Sequence, residues 1–212
     1  MRRMTEQGTA RGRIDKRQAI LDAAFGVFAR EGYAQAGVDA IAAEAGVAKA
    51  TVYNHFQDKE NLLRQAIEAC ATQALAENLA VVEQLTDADD LRARLETVGF
   101  RFLQCYCDSR STALRRLLAA EVGQFPDLLD IVDGRTADRV LEAMADRLAR
   151  LTVAGRLRTA DPLLAAEQFS ALLTGPAAKR TRFGTRDVPD AELRAVSRAA
   201  VDTFLQAFGG ES

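Results

Sequence analysis

Gly46-Val47-Ala48-Lys49-Ala50-Thr51-Val52-Tyr53-Asn54-His55-Phe56 decides how the rest of this chain is read. It has the form of a turn followed by a very short helix with two unlike faces. At 100° per residue Phe56 falls close to Val52, and Ala50 and Asn54 fall opposite. Val52 and Phe56 are therefore the anchors. Ala50, Asn54 and the flanking Lys49, Thr51, Tyr53 and His55 are left to face something else. Small, hydroxyl and amide side chains on the free face of a short anchored helix suit a DNA groove. Asn54 can pair bidentately with adenine and Lys49 can reach guanine, while Ala50 offers only apolar contact, for instance to a thymine methyl.

Just upstream, Val38-Asp39-Ala40-Ile41-Ala42-Ala43-Glu44-Ala45 is a second short helical pattern. Ile41 and Ala45 share its apolar face, Ala42 is small enough for close helix approach, and Gly46 ends it at the C′ position. Helix, glycine turn, helix is the helix-turn-helix arrangement, with the second helix entering the major groove. Taken alone, the same pattern also fits two packed helices of any α-protein.

The longer context, Lys16 to Leu63, resembles the DNA-binding domain of the TetR family of bacterial regulators. The residues that carry the resemblance are Ile20-Leu21, Ala23-Ala24, Phe28, Gly32-Tyr33, Val38, Ile41-Ala42, Ala45-Gly46-Val47, Thr51-Val52-Tyr53, His55-Phe56, Lys59 and Leu62-Leu63. The resemblance implies phosphate contacts from Thr51, Tyr53, His55 and Lys59, and base readout by Lys49, Ala50, Tyr53 and Asn54. The sequence departs from the family at four places. Ala36 and Gly37 stand where Thr and Ser are common, Ala48 replaces a common Ser, and Ala50 a common Gly. The missing hydroxyls remove candidate cap and phosphate donors.

Charge is distributed unevenly over the 212 residues. Residues 1–59 carry a balance of +2 and the remainder −4, and the first seventeen hold six basic and two acidic groups. A basic leader ahead of a DNA reader can lie along phosphates or in the minor groove; it can equally be a solvated tail. Ala and Leu are abundant and proline is scarce, which favours an all-α fold. No 18-residue apolar run suggests a membrane span, and the polar start has no secretory h-region. Cys70, Cys105 and Cys107 have neither metal nor redox spacing, so buried thiols in a reducing cytoplasm are expected.

Periodicity predicts about nine helices. The first runs from about Ile14 to Glu31 with Ile20, Leu21, Ala24, Phe25 and Phe28 buried, and Gly32 stops it. The two reader helices follow. A long fourth helix starts near Lys59 with Asp58 as N-cap and reaches about Leu85. Thr86 with Asp89 resembles a capping box for a fifth helix through Cys107. A sixth spans Ser109 to Gly123, and a seventh runs from Pro126 to about Val153, closed by Gly155. An eighth starts at Asp161-Pro162 and ends or kinks at Gly175-Pro176. A loop from Lys179 to Val188 precedes a last helix, Pro189 to Phe208. The expected division is a basic arm and helix-turn-helix domain over 1–58, and an effector-binding and dimerisation domain over 59–212.

The resemblance implies an effector pocket in the C-terminal bundle. Phe100, Leu103, Tyr106, Leu117, Phe125, Met144 and Phe169 are candidates, for a small, mostly apolar ligand oriented by Tyr106, Gln104 or Gln168. Glu121 is a candidate partner for a cation, or part of a solvated face. Glu121 to Leu129, with Phe125-Pro126-Asp127-Leu128, resembles the AefR-like C-terminal class. Phe169, Leu172, Leu173 and Phe204 on the last two helices are the expected homodimer interface, which would place two readers on an inverted-repeat operator.

Enzymatic chemistry finds no constellation here. The only histidine, His55, lies in the reader. No nucleophile has a histidine base, no phosphate-binding glycine pattern occurs, and no cofactor or metal is expected. The sequence therefore predicts a cytoplasmic, DNA-binding transcriptional repressor released by an effector. The alternative is a regulator without a small-molecule effector, constitutive or controlled by a protein partner.

Overall fold

The computed structural model describes residues 4–87 and 90–210. Among them the chain is helix and connection, with an isolated bridge pair, Leu157 with Gly209, in place of any sheet. The elements are α1 (Met4–Gln35), α2 (Val38–Glu44), α3 (Lys49–Phe56), α4 (Lys59–Val82), α5 (Leu91–Cys107), α6 (Ser109–Glu121), α7 (Asp127–Leu129), a π-helical stretch (Asp130–Ala137), α8 (Asp138–Val153), α9 (Pro162–Thr181) and α10 (Asp190–Phe208). With the run from α7 through α8 taken as one, the described residues form nine helices, as the periodicity predicts. None of them is long and apolar enough to cross a membrane.

Local chemistry sets most helix ends. Gly32, at φ +74°, breaks the helical course of α1 where the sequence marks its stop. The start differs: from Met4 the basic leader is already helical, while residues 1–3 lie outside the described part. Asp58 caps α4 by accepting the Asn61 N–H at 2.7 Å. The expected capping box at Thr86 is replaced by Asp90, which accepts the Ala93 N–H at 2.9 Å and opens α5 at Leu91; Asp89 lies outside the described residues. Asp161 accepts the Leu163 and Leu164 amides at the start of α9. That helix does not end at Gly175-Pro176. Pro176 removes one backbone donor, but Leu173, Ala177 and Thr181 are buried on either side of it, and the helix continues to Thr181. The loop expected from Lys179 begins only at Arg182, in the left-handed region.

The chain divides into two compact units, and not at the expected boundary of 58/59. The first comprises residues up to 71 together with 114–132; the second comprises 72–113 together with 133 onward. In the first unit the predicted stripe of α1 (Ile20, Leu21, Ala24, Phe25 and Phe28) is buried, as are Leu62, Leu63, Ala66 and Ile67 of α4. The residues arriving late in the sequence join this core. Leu117, Phe125 and Leu128 are buried, and the Phe125 ring meets Tyr33 edge-on at 4.8 Å. Glu121 accepts the Tyr33 backbone N–H at 2.8 Å, one residue after the Gly32 break. It is thus a cap for an irregular backbone, not a ligand group. Arg64 lies over Phe125 and its Nε donates to Asp127 at 2.6 Å.

The second unit has its own core. Leu95, Val98 and Leu103 of α5, Leu148 of α8, Phe169 and Leu173 of α9, and Val201 and Phe204 of α10 are buried together, with Val81 and Val82 from the end of α4. The Phe169 and Phe204 rings lie 5.0 Å apart. α5 and α10 approach closely because position 99 is glycine. A β-carbon there would lie 2.6 Å from Ser197 Oγ, which donates to the Glu96 carbonyl at 2.8 Å. None of the three cysteines is in a disulfide; Cys70 is buried and Cys105 and Cys107 are half-buried. Burial pushes the Cys105 thiol above its ordinary value, which makes it a poor nucleophile.

Two stability tests follow from this packing. Gly99→Val should cost roughly 1–3 kcal/mol through overpacking against Ser197 and Leu173, read as a fall in urea midpoint without a change in slope. The Arg64 guanidinium holds the Asp127 carboxyl below its usual range. A depressed carboxylate stabilises the fold fully above its unfolded pKa of about 3.9, and that contribution is lost as pH falls through the folded value. Wild type should therefore lose more stability than Asp127→Asn on acidification below about pH 4. The difference should be at most about 1 kcal/mol, since both side chains are partly in solvent.

Candidate nucleic-acid interface and apolar cavity

The turn between α2 and α3 is built by backbone alone. Ala45 caps α2, and Gly46 follows at φ +66°. The Gly46 N–H donates to the Ala43 carbonyl at 3.2 Å and the Val47 N–H to the Ala42 carbonyl at 2.9 Å. This pair of bonds is the Schellman closure, and it requires a left-handed residue that glycine supplies without strain. Ala48 then caps α3 with no side-chain hydrogen bond, as its missing hydroxyl implies; Gly37 does the same for α2.

The other end of α3 is held by a second sharp turn. Gln57 sits at φ +66°, ψ −59°, and the Asp58 N–H donates to the Phe56 carbonyl at 2.7 Å. These are the marks of a γ-turn, a strained conformation for a non-glycine residue. Side chains support it. Asn61 donates to the same Phe56 carbonyl at 2.9 Å, Gln65 donates to Asn61 at 3.0 Å, and Arg17 donates to Gln65 at 2.6 Å. The Arg17 guanidinium also lies 5.6 Å from the centroid of the Phe56 ring.

Between these turns the faces of α3 divide as the spacing predicts. Val52 and Phe56 are at most 1% exposed. Lys49, Ala50 and Asn54 are exposed, Tyr53 is 41% exposed, and Thr51 and His55 are half-buried at the edges. Two of the cations are already engaged. Lys49 Nζ donates to Asp39 of α2 at 2.9 Å, which raises the Lys49 pKa further. Lys59 is half-buried with its ammonium 4.5 Å from the centroid of the Tyr33 ring and 3.4 Å from the Ala34 carbonyl. Asp39 is a neighbour of the reader that spacing did not single out. Its signal was its place in the first turn of α2, facing the start of α3.

In the second unit an apolar cavity, partly open to solvent, lies among α5, α8 and α9. α5 contributes Phe102 and Leu103; α8 contributes Val140, Leu141 and Met144. α9 contributes Ala166, Phe169, Ser170, Leu173 and Thr174. Of the predicted pocket residues, Leu103, Met144 and Phe169 come together here. Phe100 does not; its ring lies under the Arg194 guanidinium, 3.8 Å away, on another side of α5. Tyr106 is half-buried outside the lining, and Leu117 and Phe125 belong to the first unit. Gln104 reaches Asp190 and Gln168 is exposed, so neither orients a ligand in this cavity. Spacing does not single out Ser170 and Thr174, because the apolar Phe169, Leu172 and Leu173 of α9 read as a dimer face.

That assignment also changes. Phe169, Leu173 and Phe204 are 0–2% exposed within a single chain, because the apolar stripes of α9 and α10 close their own bundle. They cannot form an outer interface. Leu172 is half-buried at its edge. The outward stripe of α9 is instead Leu164, Gln168, Ala171 and Gly175, and that of α10 is Ala195, Ala199 and Thr203.

Comparison with known proteins covers both units. The family described as "Bacterial regulatory proteins, tetR family" matches residues 20–66, and "AefR-like transcriptional repressor, C-terminal domain" matches residues 93–210. A putative TetR-family transcriptional regulator from Mesorhizobium loti is 30% identical in sequence. Its structure superposes over 93% of this chain and 98% of that one with a TM-score of 0.86. The flavonoid-responsive regulator FrrA is 26% identical over 93% of this chain and 98% of its own, with a TM-score of 0.68. The fatty acid metabolism regulator protein of Bacillus subtilis (strain 168) is 26% identical over 154 residues, 67% of this chain and 79% of its own length. These relatives are regulators, not enzymes. With its reader anchored by Val52 and Phe56 and both parts of the sequence matched, the chain belongs to the TetR family: it is a helix-turn-helix, DNA-binding transcriptional repressor with an AefR-like C-terminal domain.

Proposed function

We propose that the protein represses transcription as a homodimer on an inverted-repeat operator and is released by a small, mostly apolar effector. The cavity among α5, α8 and α9 carries the effector part of this reading: it lies inside the bundle, opens partly to solvent and is almost wholly apolar. The flavonoid-responsive relative supports the same reading. One short helix touches too few bases to be specific alone, so two readers on successive half-sites are needed. The outward stripes of α9 and α10, where Ala171, Gly175, Ala195, Ala199 and Thr203 are small, are the surface for a two-fold partner.

Asn54, Lys49, Ala50 and Tyr53 read bases in this proposal; Thr51, Tyr53, His55 and Lys59 meet phosphates. The effector acts on reader spacing and does not compete for DNA. No residue of α4 lines the cavity, but Val81 and Val82 at its end share a core with Leu103 and Phe169, which do. A ligand that displaces that core shifts α4, whose other end starts at Lys59 beside the reader. A shift of a few Å breaks simultaneous docking and forfeits the gain from the second half-site.

Asn54→Ala should flatten base preference at one operator position, which a correct bidentate pair discriminates by ~1–3 kcal/mol. Asp39 partly neutralises Lys49. Asp39→Asn should therefore tighten operator binding and steepen its salt dependence, whereas Lys49→Ala should flatten the salt slope by less than about one unit. Titrations on operator variants at several salt concentrations check both. For the dimer reading, footprinting should show two half-sites ~34–36 Å apart or a multiple of it. An effector found by screening should bind more weakly by calorimetry when operator is present, by the factor with which it weakens operator binding. Equal affinity in both titrations would leave a regulator without effector control.

A further inference from the structure

Ser170 and Thr174 stand one turn apart on α9 and both line the cavity. They are the polar members of its lining among the described residues; the other eight side chains are apolar and none is charged. The two hydroxyls are in different hydrogen-bonding states. Thr174 Oγ1 donates its proton to the Ser170 backbone carbonyl at 2.9 Å, so toward the cavity it offers lone pairs only. Ser170 Oγ has no hydrogen-bond partner among the described residues, and its proton is free to donate. A donor at i (Ser170) and an acceptor at i+4 (Thr174) match one chemical group well: a ligand hydroxyl that donates to Thr174 Oγ1 and accepts from Ser170. A carbonyl would use Ser170 alone.

Charge is selected against just as clearly. A carboxylate or ammonium drawn into this lining would lose its water and meet no counter-ion, and two neutral hydroxyls do not compensate an ion. We propose that the effector is uncharged, compact and apolar, with a single hydroxyl read by the Ser170–Thr174 pair. This rests on the effector reading above and narrows it to a chemical class.

Three probes of one shape separate the possibilities on the full-length protein at pH 7: 4-ethylphenol, 4-ethyltoluene and the 4-ethylbenzoate anion, each titrated by calorimetry. The phenol should bind about tenfold more tightly than the hydrocarbon, the size expected of the added hydrogen bonds. The anion should bind more weakly than either. Ser170→Ala/Thr174→Val should erase the preference for the phenol while keeping hydrocarbon affinity, which also shows that the cavity is intact. Thr174→Ser, which keeps the hydroxyl, should retain the preference. Anion binding as tight as phenol binding, or a phenol preference that survives the double substitution, overturns the proposal. If the anion binds and releases operator, the effector reading stands and the neutral class falls. If none of the three binds, both fall.

Discussion

Eight residues are too few to hold a helix in water by backbone hydrogen bonds alone, and α3 depends on what its two buried side chains contribute. Complete burial of a valine and a phenylalanine is worth about 1.5–3 kcal/mol each. Val52 and Phe56 reach that state one turn apart, so they fix the rotation of the helix about its own axis as well as its position. Everything that faces outward is determined by that rotation. The Schellman closure at Gly46 and the γ-turn at Gln57 then fix where the helix begins and ends. Around the strained Gln57, Asn61 donates to the Phe56 carbonyl, Gln65 donates to Asn61, and Arg17 donates to Gln65 while lying over the Phe56 ring.

The second unit uses one helix face for two purposes. Phe169 packs its ring against Phe204 and also lines the cavity; Leu173 is likewise both core and lining. Protein interiors are close-packed, so such residues cannot move singly. A guest in the cavity would push on side chains that hold α9 to α10 and that share a core with the end of α4. The close approach at Gly99 limits how far α10 can yield, which favours displacement elsewhere in the bundle.

Much of this was legible in the sequence, for identifiable reasons. The reader follows from short-range rules: a 100° rotation per residue, a glycine at C′ and a carboxylate before α4. The helix count follows from apolar rhythm in the same way. What failed were long-range assignments. An apolar stripe shows that a helix face is buried, not what buries it, so Phe169, Leu173 and Phe204 read equally as dimer face or core. Phe100 and Phe102 are two residues apart on one helix, and only the placement of α8, α9 and α10 decides which of them meets the cavity. Pro176 misled because the packing of Leu173 and Ala177 outweighs a single missing donor. Lys49 and Lys59 are singled out by their place in the sequence, but their partners Asp39 and Tyr33 are set by the fold.

The first unit is discontinuous along the chain. Leu117, Phe125 and Leu128 complete a core begun by residues before 72, and Glu121 satisfies the backbone amide of Tyr33. The part that reads DNA is therefore not a module that can be cut out at a single peptide bond. A chimaera that grafts the first 58 or 71 residues onto another regulator would leave Phe125, Arg64 and the Tyr33 amide to find substitutes in a foreign segment. Exchange of operator specificity between relatives is safer at the scale of α3 itself, whose outward side chains can change while Val52 and Phe56 stay.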